Sequence, residues 1–89
     1  MQIEDSCRRD VTTRLRRVQG QIAGIIAMIE EGRDCGDVVT QMSAASKALD
    51  RAGLRVVIDG MQQCAAASER GEAPPMDIAR LEKLFLSLA

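Results

Sequence analysis

Apolar residues in the first third of the chain recur at steps of three and four, the spacing that places side chains on one face of a helix. The positions are Val11, Leu15, Val18, Ile22, Ile25, Ile26 and Ile29. The pattern predicts a helix that begins near Asp5 or Ser6 and ends at about Glu31. Gly32 is suited to follow that helix as its C′ residue, and Asp34 is suited to cap the next one.

A second apolar pattern predicts a longer helix from about Cys35 to Ala67. One stripe has heptad spacing and a second stripe lies on other faces, which indicates burial by more than one neighbour. The stripes are Val38, Met42, Ala45, Leu49, Ala52 and Val56, and Leu54, Val57, Ile58, Met61 and Ala65. Some 33 residues would span roughly 50 Å, more than one partner could cover in so short a chain. We therefore expect self-association.

The last predicted helix is short and opens at Pro74 or Pro75, because proline is tolerated in the first turn of a helix. Its apolar face consists of Ile78, Leu81, Leu84, Phe85 and Leu88. No stretch alternates with the period of a strand. The sequence therefore predicts a single all-α domain over residues 1–89, with two long antiparallel helices and a short C-terminal helix, assembled as a dimer or larger.

The start of the chain lacks the apolar core of a signal peptide, and no run approaches the ~20 apolar residues that span a membrane. We therefore expect a cytoplasmic protein with no membrane partner, in which the three cysteines are reduced. The formal net charge of −1 gives no overall argument for binding nucleic acid.

Local charge is distributed differently. Residues 8–17 carry five arginines against Asp10, a local net charge of +4 (5 − 1). Lys47, Arg51 and Arg55 recur every four residues, so they form one stripe on the second helix.

Two antiparallel helices would bring the first cluster, with Arg14 and Arg17, opposite the second. A merged patch favours phosphate binding over an ordinary solvated surface. No helix-turn-helix or zinc finger is present, so DNA would be bound by the face of an oligomer. The alternative is a helical oligomer that binds a protein partner and no DNA.

The cysteines suggest a second kind of site. Cys35 and Cys64 are 29 residues apart, or about 43 Å along one helix. They can meet only if two copies of the helix pack antiparallel, which predicts two equivalent Cys35–Cys64 sites between protomers. Arg33 and a helix N-terminus favour a reactive thiolate at Cys35, whereas the alternative is that both are small buried hydrophobes. Cys7, near the start of the chain, is predicted to be incidental.

The chain contains no histidine, which limits its metal chemistry. Nickel and cobalt sites built from thiolate and carboxylate alone are unusual, whereas two thiolates from two chains could hold soft Cu(I). No acid–base constellation with a histidine or paired carboxylates is evident, so the sequence does not predict an enzyme.

The segment RLRRVQGQIAGIIAMIEEGRDCGDVVTQMSAASKAL, residues 14–49, resembles the CsoR/RcnR family of bacterial repressors. The family pattern is RLxRIxGQxxGIxxMIExxxxCxDVLxQxxAxxxAL. It is matched by Arg14, Leu15, Arg17, Gly20, Gln21, Gly24, Met28, Ile29, Glu30, Cys35, Asp37, Val38, Gln41 and Ala44. The resemblance implies a three-helix protomer, an antiparallel dimer and a tetramer built as a dimer of dimers. It also implies a repressor that binds operator DNA until an effector releases it.

The resemblance further suggests roles for individual residues. The family's DNA-contacting residues correspond to Arg14 and Arg51, with Arg17, Lys47 and Arg55 as neighbours. In copper sensors of the family, Cu(I) is held by the first cysteine of one protomer and by an HxxxC pair on another.

Cys35 and Cys64 match the two sulfurs, and the histidine position is Gly60. Gly60 is therefore a vacant ligand position, with room expected beside the sulfurs. Two cysteines without the histidine resemble the persulfide-sensing CstR branch. The main hypothesis is therefore a repressor released when persulfide or polysulfide donors cross-link Cys35 and Cys64 of neighbouring protomers. The alternative is a Cu(I) sensor that uses the same two thiolates.

Overall fold

The computed structural model describes residues 1–88 and contains three helices, α1 (Asp5–Glu30), α2 (Cys35–Glu69) and α3 (Ile78–Leu88). α1 and α2 form a long antiparallel hairpin, and α3 folds back on the C-terminal half of α2. The described residues contain no strand. The result is an elongated chain of about 58 × 24 × 13 Å, with α2 in contact with both other helices. The predicted all-α, three-helix architecture is confirmed.

Local signals account for the ends of the two long helices. Gly32 has a φ of +72°, and its N–H donates to Ile29 O at 3.1 Å while Arg33 N donates to Met28 O at 2.9 Å. These bonds form a Schellman motif, which favours glycine at the left-handed position. Asp34 accepts a hydrogen bond from Gly36 N at 2.9 Å, as an N-cap does. Both predicted end residues are confirmed.

α2 continues to Glu69, two residues beyond the predicted end at Ala67. A second Schellman motif ends it. Gly71 has a φ of +71° and donates to Ser68 O, and Glu72 N donates to Ala67 O.

The prediction that a proline opens the last helix was wrong. Pro74 and Pro75 lie in the connection, and α3 begins at Ile78. A residue that precedes a proline is pushed away from helical geometry, which disfavours a start at Pro74. The Asp77 carboxylate accepts from Ala79 N at 3.1 Å and so supplies the N-terminal cap instead.

The core of the chain includes two small apolar clusters in which residues of α1 or α3 pack against α2. In the first, Cys7 and Val11 of α1 pack against Ala52 and Val56. Cys7 is fully buried in α1, so the expectation of a frayed terminus there was wrong, whereas its having no part in the thiol chemistry stays a prediction. It lies one turn before Val11 on the buried face of α1, and its thiol donates to Arg55 O at 3.7 Å. In the second cluster, Val57, Cys64 and Leu81 pack together, with Met76 and Leu88 beside them.

The hairpin leaves a large apolar face exposed. Val11, Val18 and Ile25 of α1 are buried in the protomer, whereas the other apolar residues of the predicted stripe are not. The exposed side chains are Leu15, Ile22, Ile26 and Ile29 of α1, and Val39, Met42 and Leu49 of α2. Leu15, Ile22 and Leu49 line a common groove between the two helices. Within residues 1–88, no helix is long and apolar enough to cross a membrane.

Candidate functional site: a basic groove and two separated thiols

Only three of the arginine residues predicted to converge line a common groove. Arg14 and Arg17 of α1 and Arg51 of α2 line one shallow groove of about 260 Å³, together with Gln21 and Ala48. We call this the arginine groove. The convergence follows from the antiparallel hairpin, because successive turns of α1 face turns of α2 that run in the opposite direction.

The other two predicted basic residues lie outside the arginine groove. Lys47 is exposed on α2, one turn before Arg51. Arg55 is one turn after Arg51 and only 31% exposed. Its Nε atom lies 3.6 Å from Asp10 Oδ2, and its Nη1 atom is buried with no hydrogen-bond partner among the described residues.

Asp10 also belongs to this site, although its place there is not evident from the charge pattern of the sequence. The Nε atom of Arg14 lies 3.2 Å from both carboxylate oxygens of Asp10. The same carboxylate faces Arg55, so it contacts one arginine from each helix. Asp10 and Arg14 are four residues apart on one helix, so their ion pair can be predicted from the sequence. The contact with Arg55 depends on the register between α1 and α2.

The two predicted sensing cysteines lie at opposite ends of α2. Cys35 is the first residue of the helix and is exposed, whereas Cys64 is buried. Twenty-nine residues of helix separate them by about 43 Å, so the protomer does not bring them together. Arg33, two residues before Cys35, has its Nη2 atom 3.7 Å from Asp37 Oδ2.

Cys64, on α2, contacts both α3 and the segment that precedes it. Its thiol donates to Met76 O at 3.8 Å, and its side chain packs with Leu81. It also lines a groove of about 540 Å³ between the two helices. The other lining residues are mostly apolar: Met61, Ala65, Ser68, Ile78, Leu81, Glu82 and Phe85. The Cys64 side chain therefore both lines the groove and takes part in the packing of α3 on α2.

Gly60 does not leave the open space expected beside the sulfurs. A Cβ atom built on it would lie 3.0 Å from Leu81 Cδ2 and 3.0 Å from Met1 Cε. Gly53, seven residues earlier, is covered in the same way by Leu88, with a built Cβ 2.9 Å from Leu88 Cδ1. Two heptad-spaced glycines of α2 thus accept two heptad-spaced leucines of α3. The expectation of a vacant space was wrong, because α3 fills it.

The segment before α1 is held against the same part of α2. Asp59, only 2% exposed, accepts from Glu4 N at 3.2 Å and from Gln63 Nε2 at 2.9 Å. Gln63 Nε2 also donates to Gln2 O at 2.8 Å. The buried carboxylate thereby satisfies a backbone N–H at the start of α1.

The donor set of the protomer limits what metal it could hold. The described residues contain no group of three or more His, Cys, Asp or Glu side chains placed to bind a metal ion. The whole chain has no histidine. Cys35 and Cys64 are soft donors that fit Cu(I), but the site would require two protomers.

These features define a small all-helical protein with a basic groove on its helical hairpin and thiols at both ends of its longest helix. Residues 7–87 match the family described as metal-sensitive transcriptional repressor, and the chain belongs to that family.

Named relatives agree with this assignment. The chain is 41% identical to the copper-sensing transcriptional repressor RicR of Mycobacterium tuberculosis (strain ATCC 25618 / H37Rv) over 64 residues, 72% of this chain and 67% of that protein. It is 32% identical to the copper-sensing transcriptional repressor CsoR of Bacillus subtilis (strain 168) over 75 residues, 84% of this chain and 74% of that protein. No solved structure gives a significant match.

Proposed function

We propose that this protein is a transcriptional repressor that binds operator DNA through the arginine groove and releases it when an effector engages Cys35 and Cys64 of neighbouring protomers. The observation that carries the proposal is the convergence of Arg14, Arg17 and Arg51 from two helices, in a chain of the repressor family. Lys47, exposed one turn before Arg51 on α2, would add a further positive charge beside the groove. Contacts of this kind act mainly on phosphates and position the protein on the duplex.

The proposed sensing site requires a second protomer. The exposed apolar face of α1 and α2 supports self-association, since monomeric proteins rarely leave a contiguous apolar surface of this kind uncovered. If two copies of α2 pack antiparallel, Cys35 of one copy lies beside Cys64 of the other. A two-fold axis then gives two equivalent sites per dimer. We propose that two such dimers form the tetramer.

Cu(I) is the effector with the most support. The two relatives described above are named as copper sensors. Two thiolates suit a soft monovalent ion, and such an ion would connect the two protomers through both sulfurs. By the resemblance Gly60 would stand at the position of the family's histidine, and the chain has no histidine, so the site would use thiolates alone.

The contacts of Cys64 explain how a change at its sulfur could displace α3. Deprotonation of Cys64 removes the donor of its hydrogen bond to Met76 O. A group added to the sulfur would also press on Leu81, which Gly60 and Val57 hold against α2. We propose that the resulting shift of α3 changes the packing of the assembly and lowers its affinity for DNA.

A second candidate effector is a persulfide, favoured by the presence of two thiols and no imidazole. A persulfide RSSH transfers its outer sulfur to one cysteine and leaves as RSH. The second thiolate then attacks the sulfur attached to the first protomer and expels hydrosulfide. The overall change is RSSH plus two thiols giving RSH, one inter-protomer disulfide and hydrogen sulfide, so the persulfide is the oxidant.

Fluorescence anisotropy with a labelled GC-rich duplex tests the proposal and separates the effectors. Reduced protein should bind, and buffered Cu(I) should release the duplex at concentrations that a high-affinity chelator reverses. Release by a persulfide, with a Cys35–Cys64 cross-link seen by mass spectrometry and no response to Cu(I), would favour the second candidate. Absence of DNA binding at low salt would contradict both and favour a protein-interaction role.

A further inference from the structure

An acidic side chain stands at the edge of the basic surface. Asp10 is the one carboxylate in residues 8–17, where five arginines surround it in sequence. It accepts from Arg14 Nε at 3.2 Å through both oxygens, and its Oδ2 lies 3.6 Å from Arg55 Nε. Arg14 also lines the arginine groove, so one carboxylate engages a groove residue and its neighbour from the other helix.

The ion pairs of Asp10 are weak enough for a DNA phosphate to compete with Asp10 for the arginine side chains. The side chains of Asp10 and Arg14 are 42% and 45% exposed, so water and salt screen their attraction. A DNA phosphate offers the same guanidinium an anionic oxygen pair of similar geometry. Arg14 can therefore exchange a carboxylate for a phosphate at little cost.

Arg55 is less free than Arg14 to leave Asp10 for a DNA phosphate. Its Nη1 atom is buried and makes no hydrogen bond within residues 1–88, and its backbone oxygen accepts from Cys7. Its side chain is also less exposed than that of Arg14, 31% against 45%, so Arg55 is less able to leave Asp10 for a phosphate. When Arg14 turns to a phosphate, the carboxylate keeps Arg55 as its counterion but still repels the phosphate nearby.

We propose that Asp10 is an internal competitor of DNA phosphate that occupies Arg14 and Arg55 in the free protein and lowers the affinity for DNA. The proposal rests on the proposed DNA-binding function. It adds a residue that sets the strength of binding and its dependence on salt. A repressor that must release its operator benefits from an affinity held below its electrostatic maximum.

The test compares Asp10→Asn and Asp10→Ala with wild type, by anisotropy of a labelled GC-rich duplex between about 50 and 200 mM salt. Both variants should bind about 3- to 5-fold more tightly, the range expected for freeing weakly paired exposed charges. The plot of log affinity against log salt should steepen by about one for each subunit on the duplex. Glu72→Gln is the matched control, since Glu72 pairs with Arg70 at 3.1 Å outside the arginine groove.

The outcomes separate this proposal from the function on which it rests. Tighter binding by both Asp10 variants, with Glu72→Gln unchanged, supports the competitor role. Unchanged or weaker binding by folded Asp10 variants, while wild type binds, overturns that role alone. An equal gain from Glu72→Gln also overturns it, because net charge then accounts for the effect. Absence of DNA binding by wild type and every variant overturns the proposed function and the competitor role together.

Discussion

Leu81 of α3 packs so closely on Gly60 of α2 that a Cβ atom on the glycine would lie 3.0 Å from Leu81 Cδ2. Gly53 and Leu88 repeat the relationship two turns away. Glycine is unfavourable in a helix interior by about 1 kcal/mol relative to alanine, so each needs a packing reason. Here the reason is close approach of α3, which closes the space beside Cys64.

Substitution of Gly60 by a large side chain should therefore loosen α3. Gly60→His must displace the ends of Leu81 and Met1, and we expect it to lower the free energy of unfolding by about 1–3 kcal/mol. Urea denaturation at fixed protein concentration measures the change. In a Leu81→Ala background the same substitution should cost less, because one of the two obstructing side chains has been shortened. An equal cost in both backgrounds would contradict the proposed contact.

Asp59 should contribute to stability through the groups that it satisfies. Asp59→Ala removes the acceptor for Glu4 N and one acceptor for Gln63 Nε2. We expect a loss of about 1–3 kcal/mol, the cost of leaving a buried donor unpaired. Thermal unfolding monitored by circular dichroism provides the measurement. Gln62→Ala, at an exposed position of the same helix, should change stability little, and an equal effect of the two variants would contradict the assigned role.

The Cys7 thiol predicts a pH dependence of stability. Burial, with a smaller contribution from the negative charge of Asp59, raises the pKa of Cys7 above its ordinary value of 9.0. The folded protein therefore keeps a proton that the unfolded chain loses. The stabilisation is complete below pH 9.0 and is lost as the pH rises through the higher pKa of the folded state.

The measurement is the difference in free energy of unfolding between wild type and Cys7→Ala. This difference should shrink as the pH rises above 9.0, because only wild type carries the thiol. Other titrating groups are common to both proteins and cancel. A difference that stays constant with pH would show that the thiol is not protected by folding.

Arg51 should contribute to DNA binding through phosphate. Arg51→Ala should weaken binding severalfold and reduce the salt slope by about one for each subunit that contacts the duplex. The expectation follows from its place beside Arg14 and Arg17 in the arginine groove. Arg80→Ala removes the same charge from an exposed position of α3 and should leave affinity and slope nearly unchanged.

Local patterns were sufficient for much of the fold. α1, the start of α2, Gly32 and Asp34 each depend on spacing or capping within one stretch of chain, and the structure confirms them. The predicted start of α3 was wrong, because Pro75 disfavours helical geometry at Pro74 and because Asp77 supplies the N-terminal cap.

Features that depend on the register between helices were harder to predict. Cys7 continues the buried face of α1 one turn before Val11, but its proximity to the start of the chain concealed this. The space at Gly60 depends on where Leu81 of α3 packs, and the Asp10–Arg55 contact on how α1 and α2 align. None of these can be read from periodicity within a single helix.

The shared thiol site is the central claim, and mixing two variants tests it most directly. Cys35→Ala and Cys64→Ala each lack one sulfur of every proposed site, but a mixed dimer regains one complete pair. After joint unfolding and refolding, half of the dimers are mixed, which restores up to about a quarter of the sites. Buffered Cu(I) should then release labelled duplex from the mixture and from wild type, but from neither variant alone. Release from either single variant, or none from the mixture while wild type responds, would contradict the account.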